Sequence, residues 1–196
     1  MHAIMKKIIL LFSMMLTITG ISAQEYIKLN TPDMKRGSTM MQAFAKRQSV
    51  KSFANKDLSK QDLADLLWAT NGINRPESGK RTAPSAMNKQ DVTVYVCLKN
   101  GCYLYNYKDH ALKLINKEDV RQDKGAPVCL VLTSNLDGTY GAIDTGIVSQ
   151  NISLFCSGAG LATYPRGTMN KDQLKKALKL DDKETLLLCQ PVGYAK

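Results

Sequence analysis

The segment Arg47-Gln48-Ser49-Val50-Lys51 sets a guanidinium, a hydroxyl and an ammonium at alternate positions. In extended backbone, residues at i, i+2 and i+4 point the same way, so these three donors would converge on one spot. A dianionic phosphate, which accepts several charge-assisted hydrogen bonds, suits that set. The plainer alternative is a charged helix end, in which Lys46 and Arg47 favour the negative pole of the helix dipole. A second polar cluster is Ala83-Pro84-Ser85-Ala86-Met87-Asn88-Lys89-Gln90. Pro84 restrains the backbone there, and Ser85 and Asn88 offer a hydroxyl and a carboxamide. A carboxamide both donates and accepts, matching the mixed edge of a heterocycle. Here too a simpler role exists, that of a turn leading into a strand.

Other chemistry finds little support. There is no GxSxG, HExxH or Walker loop, and the GxG of Gly158-Ala159-Gly160 lies inside a helical pattern. A Ser-His-Asp arrangement would have to use His110, which follows Lys108-Asp109 at a turn and reads as a surface histidine. Five cysteines (Cys97, Cys102, Cys129, Cys156 and Cys189) show no CxxC spacing and have too few histidine partners for zinc. Cys129, Cys156 and Cys189 sit in apolar stretches, as buried free thiols do. Cys97 and Cys102 flank Asn100-Gly101. With that pair at the centre of a turn, Lys99 faces Cys102 and Cys97 faces Leu104, which leaves the two sulfurs diagonal. No side chain is assigned a catalytic role, so redox chemistry would have to come from a cofactor.

The elements that must carry these segments follow from periodicity. Met40, Met41 and Phe44 recur at helical spacing within Gly37 to Lys46, which predicts a short amphipathic helix just before Arg47. Ser59 with Asp62 is a variant capping box opening a helix that places Leu63, Leu66 and Leu67 on one face and stops at Asn71-Gly72. Residues 73 to 91 show no periodicity and read as a long loop. Val92 to Leu98 and Cys102 to Tyr107 form a hairpin, and Pro127 to Thr133 a buried central strand. Tyr140 to Leu161 is a long helix, apolar nearly all round, carrying Ile143, Ile147, Leu154 and Phe155 on helical spacing. Asn170 with Gln173 caps a short helix through Lys179, and Thr185 to Val192 closes the chain as a strand. Helices and strands mix without strict alternation, which gives an α+β class in one domain.

The first 23 residues stand apart. Lys6 and Lys7 precede an apolar run of about 14 residues, short of the roughly 20 that span a bilayer, and Ser22-Ala23 offers a cleavage site. Residues 1–23 are therefore expected to be a signal peptide and residues 24–196 the exported domain, in a periplasm or outside the cell, with no stable membrane insertion after cleavage. Of 27 basic residues, two lie in that leader, so against 17 acidic ones the remainder carries about +8. The lysines are scattered and not interleaved with aromatics, so nucleic acid is not expected as a partner.

Taken in order, the segments resemble the FMN-dependent nitroreductase family, and within it the branch of small SagB-like dehydrogenase domains. Arg47-x-Ser49-x-Lys51-x-Phe53 resembles the family's phosphate- and ribityl-binding segment. Arg81-Thr82-Ala83-Pro84-Ser85-Ala86 with Asn88 and Gln90 resembles the loop that meets the flavin ring across the dimer. Asp144-x-Gly146 with Gln150-Asn151 resembles the central helix, and Gln190-Pro191-Val192-Gly193-Tyr194 the closing strand. The resemblance implies a central mixed β-sheet flanked by helices, in a homodimer with two FMN sites at its interface. It implies hydride transfer at flavin N5 between a nicotinamide donor, NAD(P)H, and a small organic acceptor. It assigns Arg47, Gln48, Ser49, Lys51, Pro84, Ser85, Asn88, Arg166 and Gly167 to FMN, with the Gly167 N–H facing N5, and leaves metal out. The competing expectation is a flavin- or ligand-binding protein without turnover. Lys51 stands where the family has arginine, which keeps the charge and loses the bidentate fork.

Overall fold

A computed structural model describes residues 25–196; the expected leader falls outside them. The α+β class holds. Seven strands form one sheet in the order β1-β6-β5-β4-β7-β9-β8. They are β1 (Tyr26–Lys28), β4 (Val92–Leu98), β5 (Gly101–Asn106), β6 (Ala111–Asn116), β7 (Val128–Ser134), β8 (Leu161–Thr163) and β9 (Thr185–Tyr194). Every pairing among the described residues is antiparallel, so within one chain the sheet is not the mixed one the resemblance implied. Residues 73 to 91 are not a plain loop either. They fold into a small separate hairpin, β2 (Ile73–Arg75) and β3 (Lys80–Arg81), before one turn of 3-10 helix.

Four helices cover the sheet: α1 (Met40–Lys46), α2 (Lys60–Asn71), α3 (Thr139–Ala159) and α4 (Lys171–Leu178). Ser59 caps α2 by accepting from the Asp62 N–H at 3.0 Å, and Asn170 caps α4 by accepting from the Gln173 N–H at 3.0 Å. One sheet face buries Val94, Val96, Leu130 and Leu132 against Leu66 and Leu67 of α2 and Ile152 of α3. Each such side chain contributes on the order of 1.5–3 kcal/mol of burial. The other face packs Cys97, Cys102, Cys129, Cys189 and Val131 under Leu174 and Leu178 of α4. β7 is buried along its whole length, as its unbroken apolar run requires.

Two local readings are corrected. In the β4–β5 hairpin Leu98 faces Gly101, so Lys99-Asn100 is the centre of the turn and Cys97 lies directly opposite Cys102, with the sulfurs 3.4 Å apart. Gly101 serves a different purpose from the one its Asn-Gly context implied. Its φ is +150°, and a Cβ there would sit 2.5 Å from the Asn116 carbonyl oxygen on β6. All five cysteines are free and buried. The second correction concerns α1, which starts at Met40 and not at Gly37, and whose Met40, Met41 and Phe44 face outward while Ala43 is buried.

The stretch that follows α1 is tied down through Asp62 at the start of α2. Its carboxylate accepts from Ser59 Oγ at 2.6 Å, from the Tyr194 hydroxyl and from the Arg36 guanidinium, while Arg36 also reaches Asp65 at 3.3 Å. Burial pushes the Asp62 carboxyl up, but Ser59, Tyr194 and Arg36 outweigh it and hold it below its ordinary value. A depressed carboxylate stabilises the fold above the ordinary range and loses that contribution as acid protonates it. Asp62→Ala should therefore cost about 1.5–3 kcal/mol at neutral pH, read from urea midpoints. The gap to wild type should close as pH falls below the ordinary carboxylate value.

Candidate flavin site

Arg47 leaves α1 in extended conformation (φ −58°, ψ 122°), its N–H capping the carbonyls of Ala43 and Phe44. The chain then runs as a strap along the sheet edge. The Val50 N–H donates to the Thr163 oxygen of β8 at 3.0 Å, and the Ala54 N–H to the Tyr194 oxygen at 2.9 Å. The Lys196 N–H donates to the Ser52 oxygen at 3.3 Å. These bonds tie the strap to the sheet edge on both sides of Ser49 and Lys51; where the backbone between them is extended, Arg47, Ser49 and Lys51 point one way. Arg47, Gln48, Ser49 and Lys51 are all exposed. Their side chains make no hydrogen bond or ion pair among the described residues, and Lys51 Nζ lies 5.5 Å from the Tyr164 ring centroid. Three cationic or hydroxyl donors with no protein acceptor fit an anionic group such as a phosphate.

The strap and the Arg166-Gly167 loop are brought together. Tyr164 stacks on Phe53 with ring centroids 6.4 Å apart and donates to Asp123 at 2.8 Å. Arg166 pairs through its backbone with Cys189. Its guanidinium is spent on the protein: Nε donates to the Thr168 oxygen at 2.8 Å and Nη1 to the Gln122 oxygen at 3.1 Å. Arg166 thus shapes the loop. Gly167 is exposed, and a Cβ there would meet open space.

The proline-led loop is built separately. Arg75 Nη2 grips the Arg81 carbonyl at 2.8 Å, and after Pro84 the Ser85 Oγ accepts from the Gln90 N–H at 2.7 Å. Met87, Asn88 and Gln90 take left-handed backbone, with φ of 50°, 53° and 50°. Residues with a Cβ do so at a cost of about 1–2 kcal/mol each. Asp144 of α3 helps to offset this, its Oδ2 accepting from the Ala86 N–H at 2.8 Å. Pro84 and Asn88 are exposed, Ser85 half-buried, and Met87 stands out at 73 % exposure.

Within one chain the strap and the loop do not meet. α1 is fastened to the C-terminal end of α3, where Ser157 Oγ donates to the Ala43 oxygen at 2.7 Å. The loop is fastened to Asp144 near the N-terminal end. Thirteen residues at 1.5 Å each separate those anchors by about 20 Å along the helix. Met40, Met41, Phe44, Tyr140 and Ile143 are exposed on α1 and α3. Among the described residues no cluster of His, Cys, Asp or Glu could hold a metal, and no helix is long and apolar enough to cross a membrane.

Residues 44–194, spanning the strap, the loop and the closing strand, match the Nitroreductase family. The chain belongs to the nitroreductase family. A crystal structure from Ralstonia eutropha JMP134, provisionally named a nitroreductase, superposes with a TM-score of 0.82 at 32 % identity, covering 89 % of this chain and 91 % of that one. A protein of Methanocaldococcus jannaschii with a provisional nitroreductase name is 26 % identical over 194 residues, 85 % of this chain and 96 % of its own. A Desulfitobacterium hafniense nitroreductase with bound FMN shares the fold at a TM-score of 0.57 and 18 % identity, covering 80 % of this chain and 89 % of that one.

Asp144 anchors the proline-led loop. In the sequence it stands only as part of the Asp144-x-Gly146 pattern of the central helix. Its signal was present, a lone carboxylate in an otherwise apolar helix, which is buried only when something binds it. Burial raises the Asp144 carboxyl above its ordinary value; the Ala86 N–H opposes that rise, and neighbouring Asp91 adds to it. Asp91 is itself buried and accepts from Ser134 Oγ. A raised carboxyl favours the folded state while protonated, so stability falls as pH rises from the ordinary carboxylate range through the folded value. Asp144→Asn keeps an acceptor and drops the charge, so it should flatten this pH dependence in urea melts taken upward from the ordinary carboxylate range. Asp144→Ala orphans the Ala86 N–H and should cost about 1–3 kcal/mol. A pH dependence unchanged in Asp144→Asn would contradict the assignment.

Proposed function

We propose that the protein is an exported, FMN-dependent homodimeric oxidoreductase that passes hydride between NAD(P)H and a small organic acceptor. The observation that carries this is the strap: three donors on a segment tied by backbone bonds to β8 and β9, none with a protein acceptor among the described residues. FMN, when bound, supplies two-electron transfer at its N5. Arg47 and Lys51 would neutralise its phosphate while Ser49 donates a hydrogen bond and Gln48 lines the same edge. The Gly167 N–H would face N5, on a loop that Arg166 keeps in shape. Pro84, Ser85 and Asn88 would reach the ring from a second copy of the chain, because about 20 Å of helix separates them from the strap in their own copy. The apolar surface of Met40, Met41, Phe44 and Ile143 is where that copy would dock and exclude water. The leader-like first 23 residues support export.

The purified protein should be yellow. Arg47→Ala with Ser49→Ala should weaken FMN binding at least about tenfold, since each charge-assisted bond is worth roughly 1.5–3 kcal/mol. Anaerobic NADH should bleach the wild-type flavin absorbance. Colourless protein that takes up no added FMN, or bound flavin that NADH leaves oxidised, would count against the proposal. Phe44→Glu should shift the wild-type dimer to monomer in sedimentation and lower FMN retention with it.

A further inference from the structure

The sheet splits at one place. β4 and β5 pair from Leu98–Gly101 to Tyr95–Leu104 and no further. Beyond that point β4 follows β7 as far as Val92, and β5 follows β6 as far as Asn106. Between the diverging ends lies a cavity of about 300 Å³, walled by Arg81, Val92, Val94, Tyr105, Tyr107 and Lys113.

Arg81 is only 5 % exposed, yet no carboxylate pairs with it among the described residues. Its Nη1 donates to the Val92 oxygen at 3.2 Å, and its guanidinium carbon sits 3.6 Å from the Tyr107 ring centroid. Asn71 Nδ2 donates to the same Val92 oxygen at 3.1 Å, so that carbonyl has no capacity left. Arg81 Nε is buried without a hydrogen-bond partner among the described residues. A cation taken out of water keeps its desolvation penalty unless an anion meets it. The cavity contains no Asp or Glu, and Lys108 and Lys113 add positive charge at its edge.

We propose that this cleft is a binding site for a small aromatic carboxylate. Arg81 lines the cleft with no carboxylate partner among the described residues, and a guanidinium can meet a carboxylate through more than one N–H, a match that a lone ammonium lacks. Tyr105, Tyr107, Val92 and Val94 supply flat and apolar walls for a ring. The site lies between β4 and β5, across the sheet from β8, to which the Arg47–Lys51 strap is bonded. The cleft is separate from the strap, although Arg81 also begins the loop segment whose backbone Arg75 holds, so Arg81→Gln is read together with Lys113→Glu, which lies outside that loop.

Benzoate and its neutral isostere benzamide are the probes, titrated calorimetrically into the intact protein. Benzoate should bind at least about tenfold more tightly than benzamide, since only it can use the fork. Arg81→Gln should remove that preference. Lys113→Glu, at a half-exposed position on β6, should weaken benzoate several-fold and leave benzamide unchanged, with urea midpoints confirming that the variant is folded. Arg47→Ala with Ser49→Ala should leave benzoate binding unaltered. Equal affinity for the two probes, or benzoate binding indifferent to Lys113→Glu, overturns the proposal. So does binding that is lost with the strap variant and kept with Arg81→Gln.

Discussion

A rigid helix separates the two halves of the site, and the rest of the structure follows from that spacing. α3 runs 21 residues, about 30 Å, and is stitched to the sheet along its length. Gln190 of β9, fully buried, accepts from Ser149 at 2.7 Å and donates to Ser153 at 3.1 Å. A buried carboxamide satisfied on both sides fixes the helix in register as apolar packing alone would not. With α3 held in register and unbroken over 21 residues, what is fastened near one end stands about 20 Å from what is fastened near the other.

Each half is then prepared in its own way. The strap is ordered by backbone bonds to β8 and β9 and by the Asp62–Tyr194–Ser59 cluster, leaving its side chains uncommitted. The loop stores three left-handed residues against one buried carboxylate. Strain of this kind persists only where surroundings over-determine it, and it gathers at ligand sites. A strap built to donate and a loop built to protrude are complementary, and a twofold axis can bring the strap of one copy to the loop of another.

Much of this was legible in the sequence, and the failures share a cause. Ser59 and Asn170 announced their helices because capping is a local hydrogen bond between near neighbours. Val128 to Leu132 announced a buried strand because an unbroken apolar run fits little else. By contrast β6 and the three-residue β1 and β8 carry too little periodicity to be seen, and they exist because neighbouring strands offer them edges. Gly101 was misplaced by one residue because its glycine answers to Asn116 on another strand. Met40, Met41 and Phe44 revealed an apolar face correctly, but periodicity does not say what covers it. The strap was readable as chemistry, whereas the Asp144 anchor depended on a contact across 58 residues.

Mixed dimers test the divided site most directly. Arg47→Ala/Ser49→Ala chains carry a dead strap, and Ser85→Ala/Asn88→Ala chains a dead loop; each alone should retain little flavin. Co-expressed and purified together through two different tags, each heterodimer should hold one intact site assembled from the two sound halves. Flavin content should then recover to about half the wild-type value per dimer. Heterodimers as colourless as either parent would show that strap and loop do not serve one site across two chains.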